Sequence, residues 1–399
     1  MPIGLYIHVP FCVSKCPYCD FYSLPVSPPC TGSCTGSCAG SRADPLSAAA
    51  ERFDAYEAAV LRALEDWAAR LPGETADTLY FGGGTPSLLG GARLARMIQT
   101  ARRLFRLDGA EITLEANPAD GLEETFCAFA AAGGNRISLG MQSASPAELR
   151  SLGRRHTPSD VEAAARAARS AGIRNLSLDL MLGLEHQTAG TVRASVEEAA
   201  RLGAAHVSAY LLKIEEGTPY AARRESLALP DEDGEAALYL AACEALEAQG
   251  YRQYEISNFA RPGFASRHNV KYWNLQPYLG LGPSAHSWLG GRRFAYPRDL
   301  AGFLAGEGPR PERETAPSPD SPGLIAEGSE EEYILLRLRL TEGVDEAAFR
   351  RKFGRPLPAA YRQRAAALPS SLVETDERGI RLTREGFLLS NPITVRLLG

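Results

Sequence analysis

The amino-acid sequence predicts an α/β fold, a partial (β/α)6 barrel followed by a small winged-helix-like α+β domain. Three observations lead to this expectation: β-like runs alternate with amphipathic helical segments over about the first two hundred residues, the pattern changes after residue 250, and a proline-rich run precedes the last segment. Parallel strands need crossover connections, and repeated right-handed crossovers curl a sheet toward a barrel. The changed pattern favours six units over the alternative of eight.

Six β-like runs are the predicted barrel strands. A segment between the first two runs places Phe53, Tyr56, Val60 and Leu64 at helical spacing, which predicts an amphipathic helix. In barrels of this kind, chemistry is carried by residues at the carboxyl ends of the strands. The predicted strands cover residues 4–9, 78–81, 111–116, 136–140, 175–181 and 206–212.

Size and composition are those of an ordinary globular protein. The 399 residues allow two to three domains, and the 45% hydrophobic content suffices for a sizeable core. The net charge of -5 gives no sign of a nucleic-acid binder. The sequence shows neither an export signal nor a run of roughly 18 apolar residues, so we expect a cytoplasmic protein.

Changes in composition divide the chain. A repeat of Gly, Ser, Thr and Cys is too polar to form a core, and a run punctuated by prolines marks a linker. Two helices and a two-stranded wing are expected after the linker, over residues 330–339, 344–353, 372–374 and 379–383. The predicted units are the barrel at 1–23 and 48–250, an insertion at 24–47, a barrel extension at 251–304, the linker at 305–326 and the C-terminal domain at 327–399.

A group of three closely spaced cysteines follows the first predicted strand. Cys12, Cys16 and Cys19 have the spacing C-x3-C-x2-C. Three thiolates can hold three irons of a 4Fe-4S cluster and leave the fourth iron without a protein ligand. A structural zinc site is the alternative, but it needs four ligands and this loop offers three. Buried thiols are a further alternative, which Pro17 and Lys15 between the cysteines disfavour. We therefore expect an iron-sulfur cluster here.

This cysteine loop, placed after the first strand of a β/α repeat, resembles the radical S-adenosylmethionine (SAM) superfamily. The glycine-rich segment Gly82–Ser87 at the end of the second predicted strand strengthens the resemblance, because only glycine lets backbone groups approach a ligand so closely. The resemblance implies a radical-SAM-type barrel with a 4Fe-4S cluster on Cys12, Cys16 and Cys19. It also implies a SAM site made of Tyr6, Gly83, Gly84, Thr85, Glu115, Gln142, Arg154 and Asp179.

Some of the SAM residues have an ordinary alternative role. Glu115, Gln142 and Asp179 fall at or near the carboxyl ends of predicted strands, as a site in a barrel requires. Acidic groups suit ribose hydroxyls, and Arg154 suits the methionyl carboxylate of SAM. The alternative is that these residues form salt bridges or cap helices.

Within the superfamily, the sequence is most similar to the oxygen-independent coproporphyrinogen III oxidase-like family. The dehydrogenases of that family carry a further cysteine where this chain has Phe21, and they have a longer extension before the cluster cysteines. His268, Tyr272 and Trp273 instead look like the His-Asn-x-x-Tyr-Trp signature of the HemW family of heme chaperones.

The signature implies a heme site in the extension at 251–304. An imidazole can ligate ferric heme, and Tyr272 and Trp273 offer flat surfaces to a porphyrin. The alternative is a loop histidine that is hydrogen-bonded beside aromatic residues. His286 is a second candidate for the heme ligand, whereas His8 is expected to support the cluster loop.

The other cysteines leave two interpretations open. Cys30, Cys34 and Cys38 either form a second metal-binding or heme-capturing loop or are incidental thiols of the low-complexity insertion, which is the interpretation we favour. Cys127 and Cys243 lie in alanine-rich helical segments and are expected to be buried thiols.

The resemblance implies a heme chaperone that passes heme to an acceptor protein, such as a membrane respiratory protein. The main alternative is an oxygen-independent coproporphyrinogen III dehydrogenase, and the residues leave open whether SAM is cleaved. A redox-sensing DNA-binding regulator is a second alternative, but acidic residues interleave with the basic ones in the C-terminal domain. That domain is expected to cover the open side of the barrel or to support contacts in a homodimer.

Overall fold

A twelve-stranded sheet dominates the computed structural model, which describes residues 1–26, 45–118, 121–311 and 325–399. Its centre is six parallel strands that are neighbours in space in their chain order. The predicted six-unit barrel is confirmed, and each strand lies close to its predicted position. These strands are β1 (Ile3–Val9), β2 (Ala76–Gly83), β3 (Glu111–Ala116), β4 (Arg136–Gln142), β5 (Asn175–Leu182) and β6 (His206–Leu211).

Apolar side chains alternate along these strands with polar ones such as Arg136 and Ser138, which lie inside the barrel, and both sets are largely buried. Every residue of β4 is buried, and so are all but one of the residues of β1. Helices cover the outer face of such a sheet, so its strands have no solvent-facing side. The connecting helices are α1 (Pro45–Arg70), α2 (Gly91–Phe105), α3 (Leu122–Ala131), α4 (Pro146–Ser151), α5 (Pro158–Ser170), α6 (Ala189–Arg201), α7 (Pro219–Ala222) and α8 (Glu232–Ala248).

Helix α2 shows how the pattern of apolar residues determines the packing. Its buried residues are Leu94, Met97, Ile98, Ala101 and Phe105, which repeat at the spacing of one helix face. Helix α3 corrects one prediction, because Cys127 is exposed. The buried face of α3 is formed by Leu122, Phe126 and Phe129, and Cys127 follows Phe126 directly, so it turns away from the sheet.

The region after α8 extends the sheet at both edges. Strand β8 (Asn258–Ala260) pairs antiparallel with β6, and β9 (Tyr278–Leu281) pairs parallel with β1. Strand β10 (His286–Leu289) and β11 (Arg292–Ala295) form a hairpin beside β9. The remaining elements of this region are β7 (Arg252–Gln253), α9 (Arg267–Trp273), α10 (Leu300–Ala305) and β12 (Arg310–Pro311).

The C-terminal segment forms the predicted helices and wing. Val344 and Asp345 form a third short strand of the wing, where the sequence predicted the start of a helix. The Asp345 side chain accepts a hydrogen bond from the backbone N–H of Ala348 (2.7 Å) and caps the helix, which begins at Glu346, two residues later than predicted. The elements are α11 (Glu330–Arg337), β13 (Val344–Asp345), α12 (Glu346–Phe353), α13 (Ala359–Ala366), β14 (Val373–Asp376), β15 (Gly379–Leu382), α14 (Arg384–Leu388) and α15 (Ser390–Leu398).

Most of the predicted insertion and most of the predicted linker lie outside the described residues. Cys30, Cys34 and Cys38 lie there, as do the prolines at 317, 319 and 322. At the ends of the predicted insertion, Leu24–Pro25 pairs with Phe11–Cys12, and α1 already begins at Pro45. Within the described parts of the chain, no helix is long and apolar enough to cross a bilayer.

A buried arginine joins the C-terminal domain to the barrel extension. Arg337 of α11 is 4% exposed, and its guanidinium donates to the carbonyl of Gly343 (2.8 Å) and to the Asn274 side chain just after α9. The backbone of the two parts is also joined, because Ile256 N–H donates to the carbonyl of Arg339 (2.9 Å). The domain is therefore anchored by polar contacts that water cannot easily replace.

We expect Arg337→Met to lower the free energy of unfolding by about 2 kcal/mol or more, because it leaves buried acceptors without donors. Arg350→Met is the matched control. Arg350 is largely exposed and pairs with Glu346 one helical turn away, so its loss should cost less than about 0.5 kcal/mol. Urea unfolding followed by circular dichroism measures both variants. Equal losses would show that the buried contacts of Arg337 do not stabilise the fold.

Candidate cofactor site

A cavity of about 480 Å³ opens at the carboxyl ends of the barrel strands. It is lined by side chains at the carboxyl ends of the strands, where functional residues of such barrels are expected, because these ends meet at one edge of the sheet. The structure therefore brings together most of the predicted cluster and SAM residues. Those that line the cavity are Cys12, Cys16, Cys19, Gly83, Gly84, Glu115, Gln142, Arg154 and Asp179.

The cysteine loop is closed by short contacts at both of its ends. The carbonyls of Pro10 and Cys12 accept from the backbone N–H groups of Leu24 and Val26 (both 2.8 Å). His8 Nε2 donates to the carbonyl of Tyr22 (2.8 Å), so His8 supports the loop as expected. The chain therefore returns to pair with the segment that directly follows β1, and this pairing closes the loop that carries the three cysteines.

The three thiols are half-buried and face a common space. Burial raises the pKa of the Cys12 and Cys19 thiols, which disfavours free thiolates until a metal replaces the proton. In the described ranges, no three His, Cys, Asp or Glu side chains are close enough to hold a single metal ion. A 4Fe-4S cluster takes each thiolate on a different iron, so the donor set fits a cluster better than a mononuclear site.

The glycine turn after β2 packs directly against the start of the cysteine loop. The N–H of Gly84 donates to the carbonyl of Val9 (2.8 Å), and that of Thr85 donates to the carbonyl of Phe11 (2.7 Å). A Cβ atom on Gly84 would lie 2.5 Å from the Phe11 carbonyl oxygen. Thr85 Oγ1 donates to Cys12 Sγ (3.5 Å). Glycine is thus required for the backbone contact that positions Cys12.

Glu115 lies inside the barrel and faces the cavity. Its carboxylate accepts from the Tyr80 hydroxyl (2.8 Å) and from the N–H of Gly83 (3.2 Å). Burial nevertheless raises the pKa of Glu115 to about 7, because desolvation of the charged form outweighs these bonds. Burial also raises the pKa of Asp179, whose carboxylate accepts from Ser138 Oγ (3.1 Å). Two half-buried acids that resist ionisation suit a cationic or hydroxyl-bearing ligand.

Asn117 is a site residue that the sequence analysis missed. Its Nδ2 donates to Thr85 Oγ1 (2.9 Å), and its Oδ1 accepts from Arg154 Nη1 (2.9 Å). The Nε of Arg154 is buried and has no hydrogen-bond partner, which fits a donor held ready for a ligand carboxylate. Asn117 directly follows the predicted strand that ends at residue 116, so the barrel rule itself could have found it.

Arg136 is the second residue that was missed. It is 1% exposed at the start of β4, and its guanidinium lines the same cavity with Nε and Nη1 unpartnered. An arginine at the start of a predicted strand that is otherwise uncharged was the available signal. Its positive charge lies among the buried acids and balances part of their charge.

Gln142 and Tyr6 complete the account of the predicted SAM residues. Gln142 is buried with φ +65°, a left-handed conformation that turns the chain at the end of β4 and directs this residue into the cavity. Tyr6 faces the inside of the barrel from β1, and its hydroxyl donates to His8 Nδ1 (3.2 Å). Tyr6 lines a neighbouring cavity beside the cysteine loop.

The three residues of the heme prediction face different surroundings. His268 is 1% exposed, and its ring nitrogens are hydrogen-bonded to Thr78 Oγ1 (2.8 Å) and the Tyr272 hydroxyl (2.7 Å). Burial lowers the pKa of His268 to about 3. Trp273 lies under the guanidinium of Arg339 in the C-terminal segment. In this conformation His268 offers no open nitrogen, and its role as heme ligand stays a prediction.

Helix α9, which carries these residues, closes the amino-terminal end of the barrel. The N–H groups of Arg267 and His268 both donate to the Glu111 carboxylate (3.1 Å each), at the start of β3. The Thr78 contact of His268 lies near the start of β2. The signature helix therefore covers the end of the barrel at which β2 and β3 begin, while its residues Asn269 and Tyr272 reach the cofactor cavity and the neighbouring cavity, respectively.

Comparisons with known proteins identify the family. Residues 6–199 match the model of the Radical SAM superfamily, and residues 330–389 match the HemN C-terminal domain. A protein named Heme chaperone HemW from Mycobacterium tuberculosis is 37% identical over 405 residues, covering 100% of this chain and 95% of that protein. The chain belongs to the HemW family.

Other HemW relatives agree, and a solved structure has the same fold. The Heme chaperone HemW of Escherichia coli is 34% identical over 87% of this chain and 85% of its own length. The structure described as coproporphyrinogen III oxidase (HemN) from Escherichia coli, a radical SAM enzyme, superposes with a TM-score of 0.75 at 22% identity, covering 99% of this chain and 90% of that one. The radical SAM domain of the HemW family implies a 4Fe-4S cluster and SAM as cofactors.

We expect Gly84→Ala to destabilise the site by about 1 to 3 kcal/mol, because the methyl group must displace the Phe11 carbonyl. Iron and sulfide content per chain after anaerobic reconstitution should fall below the wild-type value. Gly308→Ala is the matched control, since no atom lies within 4 Å of its added Cβ atom. Full cluster occupancy in Gly84→Ala would show that the close backbone contact is dispensable.

Proposed function

We propose that this chain is a cytoplasmic heme chaperone that binds heme and passes it to an acceptor protein, such as a membrane respiratory protein. The observation that carries the proposal is the similarity to proteins named Heme chaperone HemW over nearly the whole length of both chains. The proposal includes a 4Fe-4S cluster on Cys12, Cys16 and Cys19. When bound, this cluster supplies an iron that SAM can coordinate and an electron for SAM chemistry.

The proposed SAM site consists of the eight residues that the sequence predicts, with Asn117 and Arg136 beside them. Arg154 would donate to the methionyl carboxylate, and its unpartnered Nε supports this role. Glu115 would attract the positively charged part of SAM, and Asp179 would accept from a ribose hydroxyl. The protein would thus hold SAM through polar and charged side chains that are already positioned in the cavity.

Several basic residues of the C-terminal domain are paired with acids, which counts against the DNA-binding alternative. Arg355 pairs with Glu330 (2.6 Å), and Arg350 and Arg362 both pair with Glu346 (3.2 and 2.9 Å). Binding to phosphates requires cations that are available to neutralise them. The contacts of Arg337 support a role of this domain in holding the barrel extension in place.

The pH dependence of SAM binding tests the proposed role of Glu115. Its pKa of about 7 is above the ordinary value, so the group is protonated below pH 7 and ionised above it. Only the ionised form attracts a cation. Lowering the pH from 8 to 6 should therefore weaken SAM affinity roughly tenfold.

Glu115→Gln removes the titrating group. This variant should bind SAM weakly, with an affinity that changes little over the same pH range. Isothermal titration calorimetry of the cluster-reconstituted protein measures both affinities. An unchanged pH dependence in Glu115→Gln would assign the titration to another group.

An anaerobic heme titration of the cluster-reconstituted chain tests the function itself. We expect a shift of the Soret band that saturates at one heme per chain, followed by loss of the band from the chain when an apo acceptor is added. A Soret band that never saturates, as for non-specific binding, refutes the chaperone proposal. Decarboxylation of coproporphyrinogen III would then be assayed for the dehydrogenase alternative.

A further inference from the structure

A second cavity, of about 420 Å³, lies beside the cysteine loop. Small-molecule sites usually occupy roughly 300 to 1,000 Å³, so this cavity can take much of a planar ligand and leave an edge outside. Asp20 and Phe21, which follow the last cluster cysteine, line both this cavity and the cofactor cavity. The two sites therefore share a wall, and no rearrangement is needed to make them neighbours.

Aromatic side chains form much of the second cavity. Tyr6, Tyr22, Tyr272 and Tyr278 line it, and the rings of Tyr272 and Tyr278 meet edge to face with centroids 4.5 Å apart. Phe21 is 67% exposed, which is unusual for a large apolar side chain beside a cavity. Flat rings and an exposed phenyl group suit the faces of a porphyrin.

His286 enters this cavity from a rigid part of the fold. It is the first residue of β10 and is exposed. The turn before it is held against β1, because Gly282 has φ +102° and a Cβ atom there would lie 2.5 Å from the His8 carbonyl oxygen. The next residue, Ser287, is buried and accepts from the N–H of Gly280 (2.9 Å). The imidazole is therefore presented on a fixed backbone.

The other histidines are poorer heme ligands. His8 and His268 are buried, with 4% and 1% of their surface exposed. His206 and His156 are buried as well, so none of these four rings can meet a porphyrin without a change of structure. His186 is exposed but does not line this cavity. Of the six, His286 alone combines exposure with a place in the cavity wall.

Arg298 supplies a positive charge at the same cavity. Its side chain is 55% exposed and donates to the Asp20 carbonyl (2.7 Å), with the Asp20 carboxylate 3.7 Å away. Such an exposed pair is weak, so a ligand carboxylate can compete for the guanidinium. A porphyrin carries carboxylates on its edge, and these would meet Arg298 at the cavity mouth.

We propose that heme binds in this second cavity, with His286 as its axial ligand, Tyr272 and Phe21 against the porphyrin and Arg298 on a propionate. This inference rests on the proposed function, since it names the site at which a heme chaperone would hold its cargo. His268 is then a positioning residue, because its ring is hydrogen-bonded to the Tyr272 hydroxyl behind the cavity wall.

The test is an anaerobic heme titration of the reconstituted full chain as wild type, His286→Ala, His268→Ala and Arg298→Ala. We expect His286→Ala to lose the wild-type Soret position and at least tenfold in affinity. His268→Ala should keep the Soret position with a smaller loss of affinity, and Arg298→Ala should behave similarly. His186→Ala is the matched control and should bind heme as wild type does.

The outcomes separate the inference from the function. If wild type binds one heme and His286→Ala has the same affinity and spectrum, the inference is overturned while the chaperone proposal stands. A lost Soret position in His268→Ala alone likewise overturns it in favour of His268. If wild type does not bind heme, both the function and the inference fail. Iron content and circular dichroism of each variant show that the cluster and fold are intact.

Discussion

The site depends on the contact between two backbone segments, the turn at Gly83–Thr85 and the start of the cysteine loop. Because Gly84 has no side chain, the turn can donate two hydrogen bonds to the carbonyls of Val9 and Phe11. This contact fixes the position of Cys12 relative to the sheet. It also places the Thr85 hydroxyl where it donates a hydrogen bond to the Cys12 sulfur. Both the thiols and the polar groups of the neighbouring strands are thereby placed around one cavity.

Acidic and basic side chains inside the barrel offset each other's charge, but some nitrogens of the basic side chains have no hydrogen-bond partner. Glu115 and Asp179 resist ionisation because they are buried, while Arg136 and Arg154 keep donor groups unpartnered. Unsatisfied buried groups cost free energy in the absence of a ligand. A zwitterionic ligand with both a cationic and a carboxylate end would satisfy acids and arginines together, so the cavity is better suited to such a ligand than to water.

The sequence was sufficient to predict most of the barrel, because each strand is a short β-like run followed by a segment with helical spacing. It also predicted that residues at the carboxyl ends of those strands, such as Glu115, face one cavity. It could not predict contacts between residues far apart in the chain, such as those of Asn117 with Thr85 and Arg154 or that of His268 with Thr78. Spacing identifies a motif but does not say which side of the barrel it faces.

Helix α9 connects three parts of the molecule. Its first residues bond to Glu111 at the base of the barrel, His268 bonds to Thr78, and Asn274 just beyond its end receives the buried Arg337 from the C-terminal domain. A substitution in this helix therefore disturbs contacts that stabilise the fold, whatever its effect on ligand binding. A sequence motif can mark a contact that holds the fold together as readily as a ligand site, and loss of ligand binding alone does not distinguish the two.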